Sequence, residues 1–183
     1  MPQIKACCFT GYRPEKFPFP FEENHLQYTA FEDKLTDSIF ALASEGYSRF
    51  YTGAARGFDL LAAELVLLGR RLRGVSVELY CAVPFRGQDT GWSEAWRRRY
   101  ARVLEQADHV EYLADGYCRG CYQRRNQFMV DHSQLVLTYY DGQAGGTAGT
   151  LAYARRQGKP IVNLADYEIE EEMEAFPYQF EIL

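Results

Sequence analysis

The sequence predicts an α/β protein with a doubly wound, mostly parallel sheet of about six strands and helices on both faces. Three observations lead there. Short apolar runs alternate with segments of helical periodicity, the pattern of parallel strands joined by crossover helices. Glycine-rich turns follow several of the runs and open into helices. No linker, internal repeat or low-complexity block interrupts the alternation, so the 183 residues are expected to form one domain over 1–183. Residues 166–183 read as an acidic and aromatic C-terminal extension of it.

Ile4 to Thr10 is the first buried strand, closed by Gly11. The stretch FPFPFEEN follows, where Pro18 and Pro20 forbid a regular helix or central strand. Its aromatic rings can pack over the sheet edge, form a partner surface or cover a ligand. From Tyr28 to Ser44 the residues Phe31, Leu35, Ile39, Leu42 and Ala43 fall on one helical face, and Gly46 caps that helix. Arg49 to Thr52 is the second strand, and the small-residue turn Gly53 to Asp59 leads into a helix from Leu60 to Arg71. Val75 to Val83 is the third strand. An arginine-rich helix, Trp92 to Gln106, carries Arg97, Arg98, Arg99 and Arg102, which read as a solvated face.

The fourth strand is His109 to Leu113, and Tyr122 to His132 reads as a helix carrying Arg124, Arg125 and Asn126. Leu135 to Tyr140 reads as a buried strand that runs into Asp141 and Gly142, and the turn Gly145 to Thr150 opens into a helix from Leu151 to Arg156. The last strand is Lys159 to Leu164. In the extension, alternating apolar residues from Phe176 to Leu183 suggest a docked or added strand.

Composition narrows the function classes. A hydrophobic share of 47% and a charged share of 25% are those of a soluble globular chain. A formal net charge of −5 disfavours a general nucleic-acid binder, which carries a basic excess. No apolar run approaches the roughly 20 residues of a membrane span. The N-terminal MPQIKACCF lacks the layout of a signal peptide, so a cytoplasmic protein is expected. Five cysteines, an odd number, argue against a disulfide framework. Cys7, Cys8 and Cys81 read as small buried hydrophobes. Cys118 and Cys121 form a CxxC, a pattern used for metal binding or redox chemistry, but His109 and His132 supply no second ligand pair, and no metal site is expected.

The richest stretch is QLVLTYYDGQAGGTAGTLAYARR. Strand, glycine turn and helix make an anion site when free N–H groups at the helix start point at a phosphate. Gly145, Gly146, Thr147, Gly149 and Thr150 are the candidates for cradling it; the plainer reading is a tight turn that needs glycine for shape. Ligands of open α/β sheets bind beyond the carboxyl ends of the strands. That rule brings in Thr10, Gly11 and Arg13 after the first strand, and Gly53, Arg56 and Gly57 after the second. Arg13 has the planar donor fork that suits phosphate, or is a surface arginine beside Pro14. Asp59 caps a helix or holds a ribose hydroxyl. The turn at Gly53 is not a Walker A loop, because no Gly-Lys-Ser/Thr closes it, and it lacks the GxGxxG spacing. No cofactor is assigned beyond a nucleotide-type ligand.

The stretches QRRNQFMVDHSQLVLTYYDGQAGGTAGTLAYA, YTGAARGFDLLAAEL and CCFTGYRPEKFP resemble the SMF/DprA–LOG (SLOG) superfamily, and within it the YpsA-like proteins. The resemblance covers most of Ile4 to Leu164. It implies a Rossmann-like domain that binds a nucleotide or a nucleotide-derived ligand, and a homodimer. In the LOG branch such motifs build a phosphoribohydrolase site that cleaves the base from a nucleoside 5′-monophosphate. The family arginine falls on Arg125 and the Gly-Thr on Gly149 and Thr150, but the family glutamate falls on Tyr153. Glycosidic cleavage needs a carboxylate, so an enzyme reading has Arg125 with Asp59, Glu64 or Asp141 as substitute acid. Two other readings stand beside it: a nucleotide-binding sensor, and a scaffold or division-related partner using Phe17 to Phe21. In the DprA branch the Ala-Arg-Gly turn belongs to a single-stranded-DNA-binding protein, which the acidic total here disfavours.

Overall fold

The computed structural model describes residues 4–167; the strand expected within the extension lies outside them. The element order is β1 (Lys5–Gly11), a single 3-10 turn (Pro14–Lys16), α1 (Leu26–Ser44), β2 (Tyr47–Thr52), α2 (Phe58–Arg73), β3 (Glu78–Val83), α3 (Glu94–Gln106), β4 (His109–Tyr112), α4 (Cys121–Asp131), β5 (Leu135–Tyr139), α5 (Gly146–Arg156) and β6 (Ile161–Asn163). All six strands are parallel, in the order β4-β3-β2-β1-β5-β6. Right-handed crossovers put α1, α2 and α3 on one face and α4 and α5 on the other. The packing agrees: α2 lies between α1 and α3, and α4 lies against α5.

The order reverses between β1 and β5, the place at which sheets of this kind form a ligand crevice beyond the strand ends. β1 sits at the centre because both its faces are covered. Cys7, Cys8 and Phe9 have no exposed surface, and neither do Phe50, Leu79, Val136 and Leu137 on neighbouring strands. Such strands tolerate continuous apolar runs, which is why they were readable as runs. Most element ends lie within two residues of the sequence reading, and two starts differ by more. β3 starts at Glu78 rather than Val75, because the Val77 N–H turns back to the Val75 carbonyl at 3.1 Å. α5 starts at Gly146, so most of the predicted glycine turn is the first turn of the helix.

The Pro- and Phe-rich loop is turned inward. Phe17 and Phe19 are buried, with ring centroids 5.2 Å and 5.8 Å from Phe31 of α1 and 5.0 Å and 5.9 Å from Tyr139 of β5. They plug the end of the β1–β5 pair beside α1. No helix among the described residues is long and apolar enough to cross a membrane.

Candidate functional site

The centre of the crevice is a buried arginine. Arg125 lies one turn into α4 and is only 5% exposed. Its Nη1 donates to the Gly53 carbonyl at 2.6 Å, and its Nε donates to Oδ1 of Asn126 at 2.7 Å. The guanidinium reaches the end of β2 because residue 53 is glycine. A Cβ there would stand 2.0 Å from Nη1, 2.4 Å from Cζ and 2.8 Å from Oδ2 of Asp59. The close approach that Gly53 permits is therefore made by Arg125 and Asp59 within the chain.

Asp59 lies in the first turn of α2 and is buried beside this guanidinium. Burial raises its carboxyl and the charges of Arg125 and Arg13 lower it; burial wins, and the group is pushed up to about 6. Burial likewise lowers Arg125, opposed by Asp59. Arg13, leaving β1, shares the ring of Tyr122 with Arg125, at 5.7 Å and 5.9 Å from its centroid. Asn126 carries the network across to α5 by donating to Oγ1 of Thr150 at 2.8 Å, while Thr150 donates to the Gly146 carbonyl at 2.8 Å. The Thr150 hydroxyl is thus committed inside the protein.

The turn after β2 is held in an uncommon backbone conformation. Ala54 has φ of +51° and is fully buried, a left-handed geometry that a non-glycine residue keeps only when its surroundings enforce it. Oγ1 of Thr52 accepts the Ala54 N–H at 3.1 Å and donates to the Asp59 carbonyl at 3.0 Å. Gln88, from the loop after β3, donates to the carbonyls of Gly53 and Ala54 at 3.1 Å and 3.3 Å. Gly57, with φ of +92°, seats α2 against the loop after β1, and the Phe58 N–H donates to the Tyr12 carbonyl at 3.0 Å.

The loops after β1 and β5 are clasped by Tyr12. Its hydroxyl donates to Oδ1 of Asp141 at 2.6 Å and accepts the N–H groups of Asp141 and Gln143 at 3.1 Å and 3.2 Å. Burial and the Asp141 carboxylate push this hydroxyl well above its ordinary range. Lys16 reaches the same loop, donating to the Ala144 carbonyl at 2.9 Å. Beyond it the N-terminus of α5 has Gly145 as its cap residue, with no side-chain cap. A Cβ on Gly146 or Gly149 would meet nothing within 4 Å. Uncapped N–H groups with open space beside them suit an anion.

The other candidates are placed as follows. Thr10 is buried in β1 opposite Thr138, and a Cβ on Gly11 would stand 2.4 Å from the ring of Phe58, so both shape the floor. Thr147 is buried in the first turn of α5. Arg56 pairs with Glu15 at 3.0 Å and lies over Trp92, apart from the Arg125 network. Glu64 is held by Arg99 through two hydrogen bonds, at 2.9 Å and 2.6 Å, in the packing of α2 on α3. Asp141 is engaged by Tyr12, which leaves Asp59 as the candidate acid that feels the charges of Arg125 and Arg13. Tyr153, at the family glutamate position, donates to Asp131 at 2.8 Å. Tyr122, Gln88 and Lys16 escaped the sequence reading: each acts through tertiary contacts that no local pattern encodes.

Asp59 gives a testable pH dependence. Its folded pKa, about 6, lies above the ordinary carboxyl value, so the native state holds the proton more tightly. Stability from this group is present below the unfolded pKa and is lost as pH rises through about 6. The gap of roughly 2 units corresponds to ~3 kcal/mol at most. Urea unfolding followed from pH 4 to pH 7 is expected to show a falling contribution that is absent in Asp59→Asn.

The family model for YpsA, described as the YspA SLOG family, matches residues 7–171. A UPF0398 protein of Halalkalibacterium halodurans is 30% identical over 162 residues, covering 86% of this chain and 85% of that protein. Among solved structures, the DNA processing protein A of Streptococcus pneumoniae superposes with a TM-score of 0.59 at 16% identity, covering 87% of this chain and 50% of that one. DNA processing protein A from Helicobacter pylori, described with a single-stranded DNA binding mode, gives 0.60 at 17% identity, covering 87% and 65%. At these identities the two structures bear on the fold alone.

Proposed function

The chain belongs to the YspA SLOG family, and from that premise we propose that it binds a nucleotide or nucleotide-derived ligand as a sensor or regulatory protein. The candidates are a nucleoside monophosphate, ADP-ribose or a dinucleotide. The observation that carries the proposal is Arg125, buried at the carboxyl end of β2 next to Arg13 and linked through Asn126 to the first turn of α5. Two guanidiniums and an uncapped helix start on one crevice make an electropositive site in a chain whose net charge is −5. The same net charge favours a small ligand over a nucleic-acid strand.

The test is a thermal-shift series with AMP, ADP-ribose, NAD and inorganic phosphate. A ligand at about 100 times its Kd stabilises the fold by ~2.7 kcal/mol, which raises the melting temperature by roughly 5–10 °C for a chain of this length. Arg13→Ala is expected to weaken binding about tenfold, the cost of one charge-assisted contact. No shift with any of the four, or full affinity in Arg13→Ala, would remove the proposal.

Asp59 favours a second reading, an N-glycosidic-bond hydrolase acting on a nucleoside 5′-monophosphate. A carboxyl pushed up to about 6 beside Arg125 is suited to giving and taking a proton near neutral pH. In this reading Arg125 positions the substrate. Free base released from AMP in the same wells, and its loss in Asp59→Asn, would support it; a shift without released base supports the sensor.

A further inference from the structure

The CxxC lies at the start of α4. Cys118 to Cys121 is a tight turn closed by the Cys121 N–H donating to the Cys118 carbonyl at 3.2 Å. Gly120 occupies its third position in the left-handed conformation, φ 73° and ψ 8°, as a type II turn requires. Such a turn brings its first and last Cα atoms within about 7 Å, the spacing that a disulfide bridges. Both sulfurs are free thiols.

Their surroundings differ. Cys118 is partly exposed, whereas Cys121 is buried at the first position of the helix. Nη2 of Arg124, one turn on, donates to Sγ of Cys118 at 2.6 Å. A positive charge thus stands against the sulfur that carries negative charge when it attacks. Burial raises the Cys121 thiol, which keeps that sulfur protonated until a partner is presented to it.

We propose that Cys118 and Cys121 are a redox-active dithiol, oxidised to a disulfide by hydroperoxides, with Cys118 attacking and Cys121 resolving. The Cys118 sulfur attacks the terminal peroxide oxygen, the O–O bond breaks, and the alcohol leaves with the thiol proton. Cys118 is then a sulfenic acid. The Cys121 sulfur attacks it, the S–O bond breaks, and water leaves with the second thiol proton. Two thiols lose two electrons in all, and one hydroperoxide becomes one alcohol and one water. Arg124 is a positioning residue for the first step. The site stands whether or not the crevice binds a nucleotide, although the residue after Cys121 is Tyr122, whose ring touches Arg13 and Arg125.

The experiment treats the reduced full-length protein with hydrogen peroxide, the simplest member of the class, which yields water in place of the alcohol. Alkylation, intact mass and peptide mapping follow the products. Expected is a Cys118–Cys121 link at least tenfold faster in the folded protein than in the urea-unfolded chain, with the buried Cys7, Cys8 and Cys81 still alkylatable after unfolding. Cys121→Ser is expected to accumulate a sulfenic acid at Cys118 that dimedone traps. Arg124→Ala should slow the first step about tenfold, as expected for one lost charge-assisted contact. Linking no faster in the folded chain than in the unfolded one, an unchanged rate in Arg124→Ala, or dimedone at Cys121 in Cys118→Ser and none at Cys118 in Cys121→Ser would overturn the proposal.

Discussion

Arg125→Ala is expected to destabilise the protein by roughly 3–5 kcal/mol, lowering the melting temperature by roughly 10 °C. The loss comes from what is left behind. Asp59 stays buried with its nearer counter-charge gone, and the Gly53 carbonyl loses its 2.6 Å donor. The deficit should shrink as pH falls through 6 towards 5, because a protonated Asp59 has no charge to compensate. Arg125→Lys should recover little, since an ammonium cannot serve Gly53 and Asn126 at once with a planar fork.

The same contact makes Gly53→Ala costly for a reason that can be isolated. The added Cβ stands 2.0 Å from Nη1 of Arg125, so the guanidinium has to leave. In an Arg125→Ala background the main obstacle is gone and the substitution should cost far less, with a coupling of roughly 1–3 kcal/mol between the two changes. Urea unfolding of the two single variants and the double variant measures it. Additive losses would show that Gly53 serves something other than the arginine.

The second large effect is expected at Gly57→Ala, about 3 kcal/mol or more. Two costs combine there. The φ of +92° is strained for any L side chain, and the new Cβ would stand 2.5 Å from the Tyr12 carbonyl oxygen, which is backbone and cannot swing aside. Gly46 supplies the control. Its φ is +91° and a Cβ would meet nothing within 4 Å, so Gly46→Ala should show the strain alone, roughly 1–2 kcal/mol. Equal losses at the two positions, read by chemical denaturation, would show that the contact with Tyr12 is relieved by a shift of the loop.

These glycines also show how far the sequence could be read. The order of strands and helices was legible because most elements are strongly patterned, and β1 and β5 carry unbroken apolar runs, Ala6–Phe9 and Leu135–Leu137. The small-residue turns at Gly53 and Gly145 were legible as the places where chemistry gathers. What the pattern could not say is which partner each glycine admits. Gly11 reads as an approach for a ligand and is an approach for Phe58; Gly53 likewise admits Arg125, seventy-two residues away. Thr150 reads as a phosphate donor, yet its hydroxyl is held between Asn126 and Gly146. Lys16 carries a charge to the α5 loop from within a Pro-rich segment that shows no motif. In each case the deciding contact is between distant segments, and spacing along the chain does not encode it.

The position of β1 has a consequence for synthesis. This strand is made before the other five described strands, yet one of its two neighbours is β5, and the Ala6 N–H is satisfied by Gln134, 128 residues later. At about 5–20 residues per second, roughly 6–25 s pass before that partner exists. Meanwhile β2 can cover one edge, leaving Cys7, Cys8 and Phe9 in a strand whose other edge is unsatisfied. The nascent chain therefore spends this interval with a central, buried strand half-paired, and this is the stage at which chaperone contact or misassociation between growing chains should concentrate.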